Sequence, residues 1–353
     1  MPVSMEVKLP EKSFRKLKEI ESVLDGTRRL LIVTHDHPDP DALAAALTLR
    51  LLVMEKFGIR ATIAAGGFIG RAENREMVRL LKIPLKPLEK IDPGKYDRIA
   101  LLDTQPTAGN HSLPPQHLPD LVFDHHPRKR KQPAAFTYLD QEVGSTTTML
   151  AELLLAAGLD ADTQVATAIS YAIRSETQDL GRETFQRDLH VYYYALPKSS
   201  VRKLAKIIHP ALPTSYFASL YRALGNAWSY RHLICTSLGE VEFPEMVAEV
   251  ADLFLRHRRT SYALAMGRFN GYLVLSLRCS NANARAYRII RDVLRDSRNA
   301  GGHGSFAGGR VSLSDKSPEE VSHLEKEIRR RFAARVGHPE AIWKPMLPAE
   351  IKP

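Results

Sequence analysis

The chain reads as an α/β protein: an N-terminal doubly wound domain on a mainly parallel sheet, a helical linker and a smaller C-terminal α/β domain. Three observations carry this reading. Short apolar runs rich in β-branched residues alternate with Ala- and Leu-rich or amphipathic stretches through the first half, as in repeated strand-helix-strand units. Between Thr184 and Ala227 the strand signals fade, and prolines at 197, 210 and 213 punctuate helical segments. From Trp228 strand-like runs return, two of them joined through Asn270-Gly271, a strong hairpin signal. The expected domains are 1–183, 184–227 and 228–353.

In KSFRKLKEIESVL, Phe14, Leu17, Ile20 and Leu24 fall at spacings of three and four, which gives a helix over 12–24 one apolar face, with Gly26 as its stop. Leu30 to Thr34 predicts a buried strand, and Ala42 to Leu52 a helix. Gly58 ends that helix, Ile59 to Ala65 makes a second strand, and a loop with Gly66, Gly67 and Gly70 leads to a short helix over 74–81. The glycine spacing there is not that of a dinucleotide fingerprint. Tyr96 to Asp103 is a third strand and Leu121 to Phe123 a fourth. Helices follow over 143–158, opened by Gly-Ser-Thr hydroxyls that can cap free amides, and over 162–174, capped by Asp162 or Thr163. The later strands are 232–237, 262–269 and 273–277, with helices at 245–257 and 284–295 and a glycine-rich turn from Gly301 to Gly309. The proline-rich tail is expected to pack loosely.

At 353 residues, 44% hydrophobic and 25% charged, the chain has ordinary globular composition and length enough for two sizeable cores. Its two cysteines, Cys235 and Cys279, lie far apart, which argues against a disulfide scaffold or a cysteine metal site and makes a reducing cytoplasm the default. No run approaches the ~20 apolar residues of a membrane span, and the first residues lack a signal-peptide core, so a soluble protein with no membrane partner is expected. A net charge of +10 favours polyanionic partners, with nucleic acid or nucleotides first. Arg256 to Arg259 and Arg329 to Arg331 read equally as solvated helix faces.

Chemistry is concentrated where strands end. HDHPDPD, residues 35–41, sets three aspartates and two histidines between the first strand and its helix. A divalent cation is the simplest relief for that carboxylate repulsion; the plainer reading is a polar loop with Asp41 as helix N-cap. The third strand ends in Asp103, the fourth in Asp124, His125 and His126, and a helix delivers Ser175, Glu176, Thr177, Gln178 and Asp179. Strand ends of a parallel sheet share one edge. Mixed imidazole and carboxylate donors suit manganese better than calcium or magnesium. Holding two such ions close together needs several nitrogen and oxygen ligands and a carboxylate able to bridge. Asp124 is placed to accept the second ring N–H of a ligating histidine, and His126 is left free to act as a proton donor.

HDHPDPDAL at 35–43, Asp103, the triplet Asp124-His125-His126 and SETQDL at 175–180 resemble, in order and spacing, the motifs of the DHH phosphoesterase superfamily. Ser276-Leu277-Arg278 followed by GGHGSFAGG resembles the glycine- and histidine-rich domain that commonly accompanies it, and the likeness covers roughly residues 25–315. The resemblance implies two divalent ions, one held by His35, Asp39 and Asp103 and the other by Asp41, Asp103, His125 and Glu176, with Asp103 as the bridge. It also implies that Arg278, Gly301, Gly302 and His303 grip a substrate phosphate or terminal nucleotide, through bidentate guanidinium bonds and close backbone approach. Where the family usually has Asp-Thr this chain has Glu176-Thr177; Glu176 reaches one methylene further, and Asp179 is the alternative ligand.

The expected function is a manganese-dependent phosphodiesterase acting on short oligonucleotides or single-stranded nucleic-acid ends, with Asp124 and His126 as its catalytic pair. Hydrolysis of a cyclic dinucleotide, of 3′-phosphoadenosine phosphate or of pyrophosphate is the alternative chemistry. A nucleotide-binding regulator, with Glu176 marking a weakened site, is the non-enzymatic one. The expected partner is short single-stranded RNA or DNA, or a nucleotide, with a homodimer left open. Tyr192 to Tyr194 reads as linker core rather than a base-stacking platform.

Overall fold

Five of the six residues of Arg29–Thr34 (β1) are buried, as a strand covered by helices on both faces must be. It lies in the first of two compact units, divided between Pro210 and Ala211, in a computed structural model that describes residues 9–128, 134–295 and 299–348. In the first unit α1 (Glu11–Leu24) precedes β1. After it come α2 (Pro40–Phe57), β2 (Arg60–Ala65), α3 (Ala72–Leu80), β3 (Leu85–Pro87), β4 (Arg98–Leu102), β5 (Leu121–Asp124) and β6 (Phe136–Leu139). Four helices close the unit: α4 (Thr146–Ala156), α5 (Thr163–Glu176), α6 (Gln186–Ala195) and α7 (Val201–Ile208).

The six strands are parallel throughout, in the order β3-β2-β1-β4-β5-β6. This is the doubly wound architecture that the alternation of runs predicts, with β3 and β6 added at the edges. Neither edge strand follows from the sequence pattern: Leu85–Pro87 contains a proline, and Phe136–Leu139 is four residues long. Helix α2 is buried continuously from Pro40 to Leu49, and its alanines let α4 and α5 pack closely on it. Gly58 ends it in the left-handed conformation, φ 67°, donating its N–H to the Met54 carbonyl.

A buried ion network ties the helices together. Arg187, from α6, donates to Glu152 of α4 through Nε (2.8 Å) and Nη2 (2.6 Å), and to Asp140 through Nη1 (2.7 Å). Lys12 of α1 pairs with the same Asp140 at 2.7 Å, and Ser13 Oγ donates to Glu152 at 3.2 Å. Beside it, Asp188 accepts from the backbone N–H of Gly144 (2.7 Å) and Phe185 (2.9 Å) and from Thr148 Oγ1 (2.6 Å). Gly144 sits where no side chain fits: a Cβ there would lie 2.4 Å from the Glu183 carbonyl oxygen.

The second unit holds α8 (Thr214–Gly225), β7 (Trp228–Tyr230), β8 (Leu233–Glu240), α9 (Glu245–Leu255), β9 (Tyr262–Phe269), β10 (Tyr272–Cys279) and α10 (Ala286–Leu294). It ends with β11 (Ala300–His303), β12 (Phe306–Ser312), α11 (Pro318–Arg335) and β13 (Lys344–Pro345). Its seven-stranded sheet runs β11-β12-β10-β9-β8-β7-β13, antiparallel except for the β8/β9 pair. Asn270 and Gly271 turn the β9/β10 hairpin with positive φ at both, as the dipeptide predicts.

Three expectations are corrected here. Residues 184–227 do not stand apart as a linker: α6 and α7 belong to the first unit and α8 to the second. The glycine-rich turn at 301–309 is instead a β-hairpin, β11 on β12, in which glycines occupy strand positions. The described part of the tail, up to residue 348, is not loose, because Lys344–Pro345 pairs with β7 and Trp343 packs against Phe332 and Tyr230; residues 349–353 lie outside the described residues. Among the described residues no helix is long and apolar enough to cross a membrane.

Candidate metal centre

The strand order reverses between β1 and β4, and it is at such a switch point, outside the carboxyl ends of parallel strands, that α/β sheets bind ligands. β1, β4 and β5 are neighbours, so residues 35–41, Asp103 and 124–126 emerge side by side. Asp103 follows β4 with φ 56°, a left-handed conformation that aspartate tolerates better than most residues. Its N–H donates to the Phe123 carbonyl at 2.8 Å, which locks β4's end to β5.

Asp103 is the hub. Its carboxylate lies 3.5 Å from His35 Nε2, 3.7 Å from His125 Nε2 and 3.8 Å from His126 Nδ1. His35 Nε2 is also 3.7 Å from Asp39 Oδ1, and His125 Nε2 is 3.9 Å from Asp41 Oδ2. Two groups of ligand atoms are each close enough to share an ion, His35-Asp39-Asp103 and Asp103-His125-His126, and Asp103 belongs to both. His35 Nδ1 is 2.8 Å from the Asp36 carbonyl, a bond that puts the proton on Nδ1 and turns Nε2 toward the carboxylates.

The carboxylates are held from behind. Both oxygens of the fully buried Asp41 accept from the first amides of α4, Thr146 N at 2.7 Å and Thr147 N at 2.8 Å, and Thr146 Oγ1 donates to Asp103 Oδ1 at 2.9 Å. Asp41 is therefore not the cap of its own helix. Asp39 is, accepting from Ala42 N at 3.0 Å. Asp124 accepts from His126 Nδ1 (2.8 Å) and from Gln105 Nε2 (2.7 Å), so its histidine partner is His126, while His125 reaches Asp41 and Asp103. Sequence reasoning misses Thr146, Thr147 and Gln105; a polar residue just past a strand end and the first positions of a helix are their only local signals.

Asp36 and His37, part of the same dense motif, do other work. Asp36 accepts from Ser112 N (2.9 Å) and Ser112 Oγ (2.7 Å), and His37 packs edge-on against Phe68. Glu176 ends α5 within electrostatic reach of Asp39, Asp103 and Asp41, whereas Asp179 is 73% exposed and bonds Arg174 Nε at 2.8 Å. The two fourth-motif acids thus separate, with Glu176 at the cluster and Asp179 at the surface.

Burial, and then the charges of Asp39 and Asp103, push the Glu176 carboxyl up to about 8. Burial, followed by Asp103, Glu176 and Asp39, holds Asp41 well above the usual carboxylate range. Burial works against the His126 imidazolium, but the Asp124 bond and the Asp103 charge carry it up to about 9. Asp103 goes the other way: burial opposes its charge, yet His35, His125 and His126 keep it well below the usual range. The cluster balances its own charge with protons, which a divalent cation would displace. The donor set fits such an ion, and His125 Nε2 is buried with no hydrogen-bond partner, an acceptor or ligand atom otherwise wasted.

In the second unit Arg278 projects from β10, where Nε donates to Asp252 (2.6 Å) and Nη1 to Ser276 Oγ (2.8 Å). Gly301 and Gly302 lie in β11, the latter at φ 132° with a virtual Cβ only 2.5 Å from Ala307 Cα, so glycine is required there. His303 closes that strand, and its side chain lies outside the described part of the structure.

Residues 29–187 match the family model described as DHH family, N-terminal domain. Over 94% of this chain and 100% of the other, the structure is similar to an exopolyphosphatase-related protein from Bacteroides fragilis, TM-score 0.72 at 13% identity. RecJ from Thermus thermophilus, in complex with Mn2+, aligns over 93% of this chain and 56% of its own at TM-score 0.53 and 14% identity. In sequence, the uncharacterized protein MJ1633 of Methanocaldococcus jannaschii is 29% identical over 341 residues, 91% of this chain and 69% of that one. The parallel sheet and the strand-edge cluster both lie within the residues that match the family model. Residues 29–187, the part of the chain that carries the cluster, are thus similar to the N-terminal domain of the DHH family.

Proposed function

We propose that this protein hydrolyses phosphodiester bonds in short oligonucleotides or at single-stranded nucleic-acid ends, with two divalent cations, Mn2+ in preference to Mg2+. One observation carries the reading: a single buried carboxylate, Asp103, is common to two ligand groups, as a bridging ligand must be. His35, Asp39 and Asp103 would hold one cation, and Asp41, Asp103, His125 and Glu176 the other. Such a pair supplies neutralisation of phosphoryl charge and a nucleophile at neutral pH.

The chain's own residues do the remaining work. Asp124 and Gln105 fix the His126 ring, which can then contact a phosphoryl oxygen and give a proton to the leaving oxygen. Thr146 and Thr147 hold the Asp103 and Asp41 carboxylates in place, so that neither must reorganise during the reaction. Arg278 and the Gly301-Gly302-His303 strand are the proposed grip on the substrate's terminal phosphate. The net charge of +10 suits a polyanionic substrate, and mixed imidazole and carboxylate donors favour Mn2+ over Mg2+.

A substrate panel in Mn2+ and in Mg2+ tests this: labelled dinucleotides, longer single-stranded RNA and DNA, cyclic dinucleotides, 3′-phosphoadenosine phosphate and pyrophosphate. Mononucleotide release from the linear substrates, abolished in Asp103→Asn, is expected. Release confined to cyclic dinucleotide, 3′-phosphoadenosine phosphate or pyrophosphate would replace the substrate, and tight nucleotide binding without turnover in any metal would overturn hydrolysis.

A further inference from the structure

Far from the glycine-rich hairpin, at the opposite edge of the second sheet, lies a groove of about 170 Å³ between α11 and the chain before β13. Lys326, Arg329 and Arg330 line it from successive turns of α11, and Trp343 lines the other side. The Arg329 guanidinium sits over the Trp228 ring at 4.4 Å and near the Trp343 ring at 5.9 Å. Stacking covers the faces of a guanidinium and leaves its in-plane N–H donors for a bidentate acceptor.

Among the described residues no ion pair within 4.0 Å supplies that acceptor, the Glu325 carboxylate acting on the Arg329 charge only from further off. Among the described residues neither Lys326 nor Arg329 pairs with a carboxylate, while Arg330 is held by Glu327 at 2.7 and 2.8 Å. Glu325, one residue before Lys326, accepts instead from Ser237 Oγ at 2.9 Å. Trp343 adds a buried Nε1 with no hydrogen-bond partner. A preorganised arginine, a lysine without a counter-charge and an unused indole N–H around one groove define a site for an oxyanion.

We propose that this groove binds a backbone phosphate of single-stranded nucleic acid, a second anchor for the substrate class argued above, on which this inference rests. Six interstrand steps of about 4.8 Å separate β11 from β13, roughly 29 Å along the sheet. A dinucleotide held at the glycine-rich hairpin cannot reach the groove, whereas a longer strand can. The groove therefore sets preference for length and not the chemistry.

Binding of a fluorescent single-stranded RNA dodecamer, by anisotropy, and dinucleotide turnover in Mn2+ are to be measured on the full chain and on Lys326→Gln/Arg329→Gln, with Lys326→Gln alone as a variant of an exposed side chain. Weaker dodecamer binding by tenfold or more in the double variant, a smaller loss in the single one, and unchanged dinucleotide kcat/KM are expected. The salt dependence of the association constant should shallow by about 0.7 in log–log slope for each charge removed. Equal dodecamer affinity in all three proteins, or no dodecamer binding by the unsubstituted chain, would overturn the proposal. Charge-dependent dodecamer binding without hydrolysis of any substrate would sink the phosphodiesterase reading and leave the groove standing.

Discussion

Thr146 Oγ1 donates a 2.9 Å hydrogen bond to Asp103 Oδ1, the carboxylate common to both ligand groups. The first turn of α4 is thus a support for the cluster, through this hydroxyl and through the two amides that hold Asp41. Thr146→Val keeps the shape and removes the donor. Loss of a supporting hydrogen bond behind a metal ligand typically costs about 10–100-fold in affinity or activity, and that is the expected fall in Mn2+ affinity by titration calorimetry. Asp103→Asn should lose more than this, and a Thr146→Val protein with unaltered metal affinity would show that α4 is only packing.

Glu176 and Asp179 make a paired test. Glu176→Gln should weaken Mn2+ binding and turnover together, since it removes a carboxyl that a bound cation would deprotonate and replaces it with an amide that cannot ionise. Asp179→Asn should change neither, and its stability in urea should stay within about 0.5 kcal/mol of the parent, because an exposed ion pair with Arg174 contributes little. The reverse outcome would move the fourth-motif ligand three residues along the chain.

The Arg187 network gives a stability prediction with a pH sign. Arg187→Met leaves Glu152 and Asp140, 2% and 5% exposed at their side chains, without their guanidinium, and should cost about 3–5 kcal/mol in urea unfolding at pH 7. Burial opposes the Asp140 charge, but Lys12 and Arg187 hold its pKa below the ordinary carboxylate value. Its contribution is therefore complete above the unfolded value of about 4 and fades as pH falls through the folded one. The difference between parent and Arg187→Met should shrink when unfolding is repeated well below pH 4; a gap that widens in acid would refute the assignment.

Gly144→Ala places a methyl group against the Glu183 carbonyl, with Thr177 and Asp188 also within reach. Residues 177–183 or the start of α4 must yield, at about 1–3 kcal/mol by analogy with overpacking. Because Glu176 directly precedes the first segment and Thr146 and Thr147 open the second, Mn2+ affinity should fall along with the thermal midpoint. Reduced stability with unchanged metal binding would separate the two.

The strands that form the candidate metal centre are legible because each is a buried apolar run leading directly into a carboxylate or imidazole of the cluster: Thr34 before His35, Leu102 before Asp103, Phe123 before Asp124. What escapes reading depends on partners remote in sequence. The amides that hold Asp41 lie more than a hundred residues downstream, and no local pattern reveals that Asp39, rather than Asp41, caps α2. The hairpin of β11 and β12 escapes for another reason: glycine disfavours strands, and only the Gly302 φ of 132° and its tight approach to Ala307 explain why it is used there. The two-residue β13 is decided by Trp343 packing on Phe332, not by propensity.

The proposed ligands are strung from His35 to Glu176 along the chain, with Asp103 and His125 between. On the ribosome, where chains emerge from the N-terminus, the early aspartates must wait until α5 has been synthesised before the full set can assemble. Under the two-cation proposal, metal uptake is thus a late maturation event, and a nascent chain released before that helix would carry the acidic motif without the full set of proposed ligands.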